Sequence, residues 1–247
     1  MISTESYETI TFFGLAALFE ILERFRPALK TDRWLNWKCD ALSFTFAILM
    51  SRFSKHLVAG PTGPYALTWT FDTLRHLPGP LRIFLAIVVA DFILYWIHRA
   101  QHRFTPLWRT HAWHHSVQEL YWFSGFRTSF LHSLIYNVPQ VVVPTLLFHL
   151  SPFQIAIAYS ISLFIQFWEH TNLAVNIGLL RHVVITPVYH RVHHSVEHNQ
   201  SNFAATFSLW DRLFGTYCDP AGVPADAQLG LGEPFDRRGA TRMLAGV

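Results

Sequence analysis

Apolar and polar positions along this chain fall in blocks. Long apolar runs occupy Thr9–Leu22, Asp40–Ala59, Leu81–Ile97, Leu131–Leu150 and Pro152–Trp168, broken by isolated polar residues and without the strict alternation of a half-buried strand. Several approach the ~20 apolar residues a helix needs to cross a bilayer, and others are shorter. The pattern predicts an all-α integral membrane protein with about four to five spans. The second run contains Arg52 and Lys55, so it reads either as a span or as an interfacial or re-entrant helix. The last two runs are joined at His149-Leu-Ser-Pro152 and predict a helical hairpin. After Cys218 the chain is rich in proline and glycine (Pro220, Gly222, Pro224, Gly230, Gly232, Pro234), which reads as irregular structure covering the rest. The expected division is a membrane domain over 1–217, its motif-bearing core 81–217, and a tail over 218–247.

Charge sets the orientation. Arg24, Arg26, Lys30, Arg33 and Lys38 crowd one segment, whereas Gly60–Pro80 offers only Arg75 and the His149–Pro152 turn has no Lys or Arg. The basic segment is expected on the cytoplasmic side, which returns the chain to that side at His98 and again at His170. The first ten residues, MISTESYETI, lack the positive start of a cleaved signal, so the first apolar run is expected to be retained. Composition agrees with a membrane protein: 51% of residues are hydrophobic and only 14% charged, against about 25% charged in ordinary soluble domains. The formal charge of +3 is too small for a nucleic-acid groove and suits an anionic bilayer surface. Cys39 and Cys218 are far apart, which supports neither a disulfide framework nor a thiolate zinc site.

Fifteen histidines are the unusual feature. Eight form three clusters, His98-Arg-Ala-Gln-His102, His111-Ala-Trp-His114-His115 and His190-Arg-Val-His193-His194. Helical residues three and four apart share a face, so each cluster can aim two or three imidazoles at one point. An octahedral ion accepts six ligands and zinc usually four, so eight imidazoles imply two ions. His170, in Glu169-His170-Thr171-Asn172, emerges on the same side as a ninth candidate ligand. His56, His76, His149 and His182 stand alone and read as ordinary structural histidines. Asp91, Tyr95, His98 and His102 form one stripe of the third helix, at i, i+4, i+7 and i+11. An acid in an apolar span needs a partner. Asp91 either supports an imidazole N–H, directly or through Tyr95, or pairs with a basic residue such as Arg127. All-imidazole ligation suits zinc, copper, nickel or iron. No cluster has the H-E-x-x-H pattern of a zinc protease.

HRAQH, HAWHHS and TPVYHRVHHS, followed by NFAATFSLWDRLFGTY, resemble the fatty acid hydroxylase and sterol desaturase superfamily, particularly its bacterial members and their alkylglycerol monooxygenase relatives. The likeness runs from about Leu81 to Tyr217. It implies a membrane-embedded non-haem di-iron centre that uses O₂ and external electrons to hydroxylate or desaturate C–H bonds of a lipid, at the cytoplasmic face of a bacterial inner membrane. The implied iron ligands are His98, His102, His111, His114, His115, His190, His193 and His194, with His170 matching the extra histidine after the last span. Two departures stand out. Gln166 occupies a position where some members carry a further histidine, and its amide either ligates weakly or holds a water. After Arg127 many bacterial members show His-Pro-x-Glu, whereas this chain reads Thr128-Ser-Phe-Leu-His132, with His132 either supporting a ligand or facing lipid. Gln166 and Asn172 join Asp91 and Tyr95 as candidates to hold ligands from behind.

Tyr121-Trp122-Phe123 and the spans offer aromatic walls for a lipid tunnel. Trp210-Asp211-Arg212-Leu-Phe-Gly215 reads as a structural cap whose Asp211 and Arg212 are available for ion pairing. No G-x-G-x-x-G occurs, and His76-Leu-Pro-Gly-Pro is not the His-Pro-Gly-Gly motif of fused haem domains, so electrons are expected from a separate ferredoxin, cytochrome or pterin donor. Arg99, Arg103 and Arg109 read as a docking rim or as phosphate-facing anchors. The competing reading is a histidine-rich metal transporter or metal-binding protein, although transporters favour mid-membrane sites between repeated halves and no halves repeat here.

Overall fold

The computed structural model describes residues 3–34, 37–59, 72–233 and 237–247. Among these residues there are nine α-helices and no strand, only isolated bridges Pro27 to Leu173 and Ser195 to Leu229. Five long elements are α1 (Thr4–Phe25), α2 (Trp37–Ala59), α3 (Gly79–Arg103), α5 (Phe130–Val142) and α6 (Pro152–His170). Shorter helices are α4 (Thr105–His115), α7 (Pro187–His194), α8 (Leu209–Phe214) and α9 (Arg237–Ala245). The apolar runs seen in the sequence all fall within or across the long elements. Residues 60–71 of the stretch expected outside the membrane lie outside the described residues.

Local chemistry explains the boundaries. Ser3 caps α1 by accepting from Ser6 N–H at 3.1 Å, and Ser129 caps α5 from His132 N–H at 3.1 Å. Ser151 and Gln154 exchange side-chain bonds in a capping box that opens α6. Pro144 has no N–H for an α-helical bond, and beyond Val142 helix α5 widens into a π-turn over Val143–Leu147.

Helix α1 packs on α6, α2 on α5, and α3 on both α4 and α6. One core joins Phe19, Phe126, Leu163, Phe167 and Leu173; another joins Ala86 and Ala90 to Val143, Phe148 and Leu150. Gly79–Arg103 and Phe130–Leu147 are long and apolar enough to cross a membrane, with mean hydropathies of 2.0 and 1.3. The other three long helices carry more polar positions, such as Glu8, Glu20 and Glu23 in α1 and Gln154, Gln166 and Glu169 in α6. Their outer surfaces are nonetheless apolar, with Ile10, Phe13, Phe53 and Phe153 exposed to between 48% and 67%.

The chain after Cys218 departs in part from its expected irregularity. It is a loop as far as Glu233, where Leu229 packs on Val117 and Leu120, but Arg237–Ala245 forms a helix against α4 and α5. Its apolar residues, Met243 and Leu244 among them, are diluted by arginines, so no apolar block marks it in the sequence.

Candidate metal centre

The carboxyl ends of α3 and α6 bring their histidines to one end of the bundle, where those of α4, which packs on α3, and α7, which packs on α6, join them. All nine candidate histidines meet there and all are buried. Their ring nitrogens fall into two sets, each gathered within 4.8 Å: His98, His102, His111, His115 and His193; and His114, His170, His190 and His194. The two doublets split, His114 from His115 and His193 from His194.

The donor set fits bound ions. Two ligand nitrogens about 2.1 Å from one ion and at right angles stand about 3.0 Å apart. In the first set, Nε2 of His111 is 2.9 Å from that of His98, and Nε2 of His115 is 3.0 Å from that of His193. In the second set the Nε2 separations are 3.3 Å for His170 and His114, 3.1 Å for His190 and His170, and 3.0 Å for His194 and His190. Neither ring nitrogen of His102 has a hydrogen-bond partner among the described residues although both are buried, which costs about 1–3 kcal/mol for a polar atom left so and is relieved at one nitrogen by a bound cation.

The far side of several rings is tied to backbone. Nδ1–H of His98 donates to Phe203 O at 2.7 Å, that of His193 to Ser201 O at 2.8 Å, that of His114 to Arg127 O at 3.1 Å and that of His170 to Gln166 O at 2.9 Å. These bonds select the tautomer whose Nε2 lone pair faces the other imidazoles. Burial, reinforced by neighbouring imidazoles, holds His111, His115, His190, His193 and His194 well below the ordinary histidine range. Burial likewise holds His114 at about 4. At neutral pH these rings are uncharged and their lone pairs are available.

His132 is buried behind the first set. His111 Nδ1–H donates to His132 Nδ1 at 3.0 Å, and the Gln101 amide, itself bonded to Thr110 at 2.8 Å, approaches that nitrogen at 3.3 Å. Of its two readings, support of a ligand is the one the contacts favour. Asp91 does not meet the partners the sequence offered it. Its Oδ2 accepts from the Phe207 N–H and the Trp210 indole at 3.1 and 2.8 Å, because its turn of α3 faces the segment that leads into α8. Tyr95 bonds to Thr216 and Arg99, and Asn172 to Leu29, so neither touches a ligand imidazole. Gln166 acts through its carbonyl on His170, while its amide donates to Gly125 O at 3.1 Å.

Four residues support the centre in ways the sequence did not indicate: Arg127, Asp40, Tyr121 and Glu23. Arg127, whose carbonyl holds His114, is anchored by a buried ion pair with Asp40 at 2.6 Å, and Tyr121 donates to the same carboxylate at 2.7 Å. Glu23 accepts from the N–H groups of Trp122 and Asn172 at 2.8 Å, fixing the chain just past His170. Among the described residues Asp211, which the sequence offered for ion pairing, makes no ion pair. It accepts from the Phe203 and Ala204 N–H groups, and Arg212 stacks on Tyr217. Glu169 was noted only as the neighbour of His170; its carboxylate lies 3.4 Å from His170 Nδ1 and 3.8 Å from His190 Nδ1.

A cavity of about 680 Å³ runs from these imidazoles, with His98, His111, His114, His170 and His190 in its wall, along α5 and α6 to Thr4, Glu5 and Pro152. That volume is in the range that encloses organic ligands.

The fatty acid hydroxylase family model matches residues 83–216, which contain every one of the nine histidines. The chain belongs to the fatty acid hydroxylase family. Within it, the chain is 34% identical over 186 residues to alkylglycerol monooxygenase of Xenopus tropicalis, covering 72% of this chain and 40% of the relative. It is 29% identical over 261 residues to ornithine lipid hydroxylase OlsE of Rhizobium tropici, covering 95% and 77%. It is 26% identical over 199 residues to a probable Delta(7)-sterol 5(6)-desaturase of Neurospora crassa, covering 78% and 54%. The chain thus spans about 40% of the length of the alkylglycerol monooxygenases it matches. No solved structure matches this family member.

Proposed function

We propose that this fatty acid hydroxylase family member is a membrane-bound, non-haem di-iron oxidoreductase that uses O₂ to hydroxylate a C–H bond of a lipid. The observation that carries the reading is the division of nine buried histidines into two adjacent sets at one end of a lipid-sized cavity. One iron is assigned to His98, His102, His111, His115 and His193, the other to His114, His170, His190 and His194. When bound, the irons supply O₂ activation and C–H oxidation, which protein side chains do not perform alone. The four-imidazole set leaves an octahedral ion two positions, and three of its members border the cavity.

The chain's own part is orientation. Backbone carbonyls fix the imidazole tautomers, the cavity excludes water and holds the substrate chain, and α5 and α6 aim it at the histidines. Two relatives are named a monooxygenase and a hydroxylase, which favours hydroxylation over desaturation. Four or five of the long helices cross the membrane, α3 and α5 among them. The histidine end and the Arg24–Lys38 segment share the cytoplasmic face, in a bacterial inner membrane. A separate ferredoxin, cytochrome or pterin donor supplies electrons. Arg103 and Arg109 are exposed and remain in the docking rim, whereas Arg99 is tied to Tyr95 and Phe214 and leaves it.

The test is lipid analysis under ¹⁸O₂ of cells with and without the protein, with a His114→Ala control and iron analysis of the purified chain. The expected result is one labelled oxygenated lipid dependent on His114, with two irons per chain. Exchangeable zinc with flux into vesicles, and no labelled lipid, establishes the transporter reading instead.

A further inference from the structure

The cavity touches only part of the metal centre. His98, His111, His114, His170 and His190 border it, whereas His102, His115 and His193 do not. His102 and His115 pack instead on Trp108. Its ring lies 5.0 Å from that of His102, 5.2 Å from that of His115 and 6.2 Å from that of His111, centroid to centroid. All three belong to the five-histidine set. Trp108 is half-buried and does not line the cavity, while His102 and His115 are buried. One indole therefore separates the five-histidine set from the surface, on a side the cavity does not reach.

The surface around that indole is apolar with a cationic rim. Phe104 is 57% and Leu107 37% exposed. Arg103 and Arg109 bracket them in the sequence and are exposed. Helix α9, which packs on α4, adds exposed Arg238 and Arg242. None of these four arginines makes an ion pair among the described residues, and neither α4 nor α9 contains an Asp or Glu. An apolar patch ringed by charge of one sign is the make-up of a protein interface that steers a partner of the opposite sign. A bilayer surface matches the arginines and Phe104 but makes no use of an indole packed on imidazoles.

We infer that the Arg103–Arg109 corner, with α9 beside it, docks an acidic one-electron carrier protein, and that Trp108 is the residue through which the electron enters the five-histidine set. Electron transfer slows steeply with distance and is faster through packed aromatic groups than across a gap, and Trp108 is a single π-system in contact with imidazoles on one side and reachable from the surface on the other. In each encounter the reduced carrier loses one electron and one ferric ion becomes ferrous. No bond forms or breaks, and Trp108 ends the step as it began. Lipid and electrons then reach the centre by separate routes. The inference deepens the proposed function and rests on it only in taking the bound ions to be iron.

The test uses the full chain in detergent, kept without O₂, and an acidic [2Fe–2S] ferredoxin as the probe. Binding is read first on the metal-free chain, apart from any turnover. Ferredoxin is expected to bind at low salt and release at high salt, and Arg103→Gln with Arg109→Gln is expected to weaken binding about three- to tenfold at low salt while flattening the salt dependence. Electron entry is read next, from the recovery of ferredoxin's visible absorbance when its reduced form meets the iron-loaded chain. Trp108→Leu is expected to slow this step severalfold, with ferredoxin affinity, iron content and the rate of reduction by dithionite unchanged, and Trp108→Phe, which keeps an aromatic ring, is expected to retain most of the rate. The arginine pair decides the matter if Trp108→Leu does not retain iron. Undiminished reduction by ferredoxin in Trp108→Leu, or ferredoxin binding that ignores both salt and the arginine pair, overturns the inference. So does an arginine variant that loses only its affinity for anionic vesicles, which makes the patch a bilayer anchor. Salt-dependent ferredoxin binding without any labelled lipid in the ¹⁸O₂ experiment supports the docking surface and counts against lipid oxidation. Labelled lipid from a chain that ferredoxin does not bind does the reverse.

Discussion

Asp211 sits buried in α8, yet its influence reaches the histidines. Its Oδ1 accepts from Phe203 N–H at 2.8 Å and the Thr216 hydroxyl at 2.6 Å; its Oδ2 accepts from Ala204 N–H at 2.8 Å and the Tyr189 phenol. Phe203 then offers its carbonyl to His98 Nδ1. Asp211→Asn preserves the shape but turns one acceptor into a donor. Whichever way the amide lies, its NH₂ faces one backbone N–H that has nothing else to bond and one hydroxyl that can rotate. An orphaned backbone donor costs about 1–3 kcal/mol, and the remaining bonds lose their charge assistance. Burial pushes the Asp211 carboxyl above its usual range, so the variant is spared part of the desolvation of a charge. The net loss is about 2–4 kcal/mol, or roughly 4–16 °C in Tm for a chain of this size. Thermal unfolding in detergent, followed by tryptophan fluorescence, measures it. Tyr189→Phe, which removes one donor and orphans none, is expected to lose less. An Asp211→Asn protein that melts within a degree of the native chain refutes the reasoning, because it shows that the carboxylate is not holding the 203–204 loop.

Other substitutions probe the centre from different sides. A Cβ on Gly125 meets His170 Nδ1 at 2.7 Å and Cγ at 2.9 Å, so Gly125→Ala should displace His170 and lower the metal content of the purified chain relative to the native one, read by elemental analysis. His132→Phe keeps the ring but removes the acceptor for His111, and a fall of about 10–100-fold in metal affinity is expected for the five-histidine set alone, seen as two classes in a metal titration. Arg127→Met leaves Asp40 buried without its cation, and urea unfolding should show a loss of about 3–5 kcal/mol. Adding Asp40→Leu to Arg127→Met should restore part of that stability.

The long helices were legible because their apolar blocks are continuous, and the histidine clusters because ligand spacing follows the helical repeat. What spacing does not carry is which doublet member joins which set, since that depends on how α4 and α7 are placed relative to α3 and α6. Asp40 and Arg127 stand far apart in sequence, and each alone reads as a stray charge in an apolar region. His132 was legible as a residue that either supports a ligand or faces lipid, and nothing local decides between the two, because only the fold shows that α5 lays it against His111. Asp91 was legible as a buried acid in need of partners, but those partners, Phe207 and Trp210 at the start of α8, stand more than a hundred residues later. Helix α9 was missed because arginines and glycine mask its short apolar face.

The splitting of the two histidine doublets ties the two halves of the centre together mechanically. Consecutive residues on a helix point about 100° apart, so His114 and His115 serve different sets from one rigid piece of backbone, and His193 and His194 do the same from another. The gap between the sets is therefore bounded on each doublet by one rigid stretch of helix. Any shift of α4 or α7 disturbs both halves at once, so neither can be retuned in isolation by moving its scaffold.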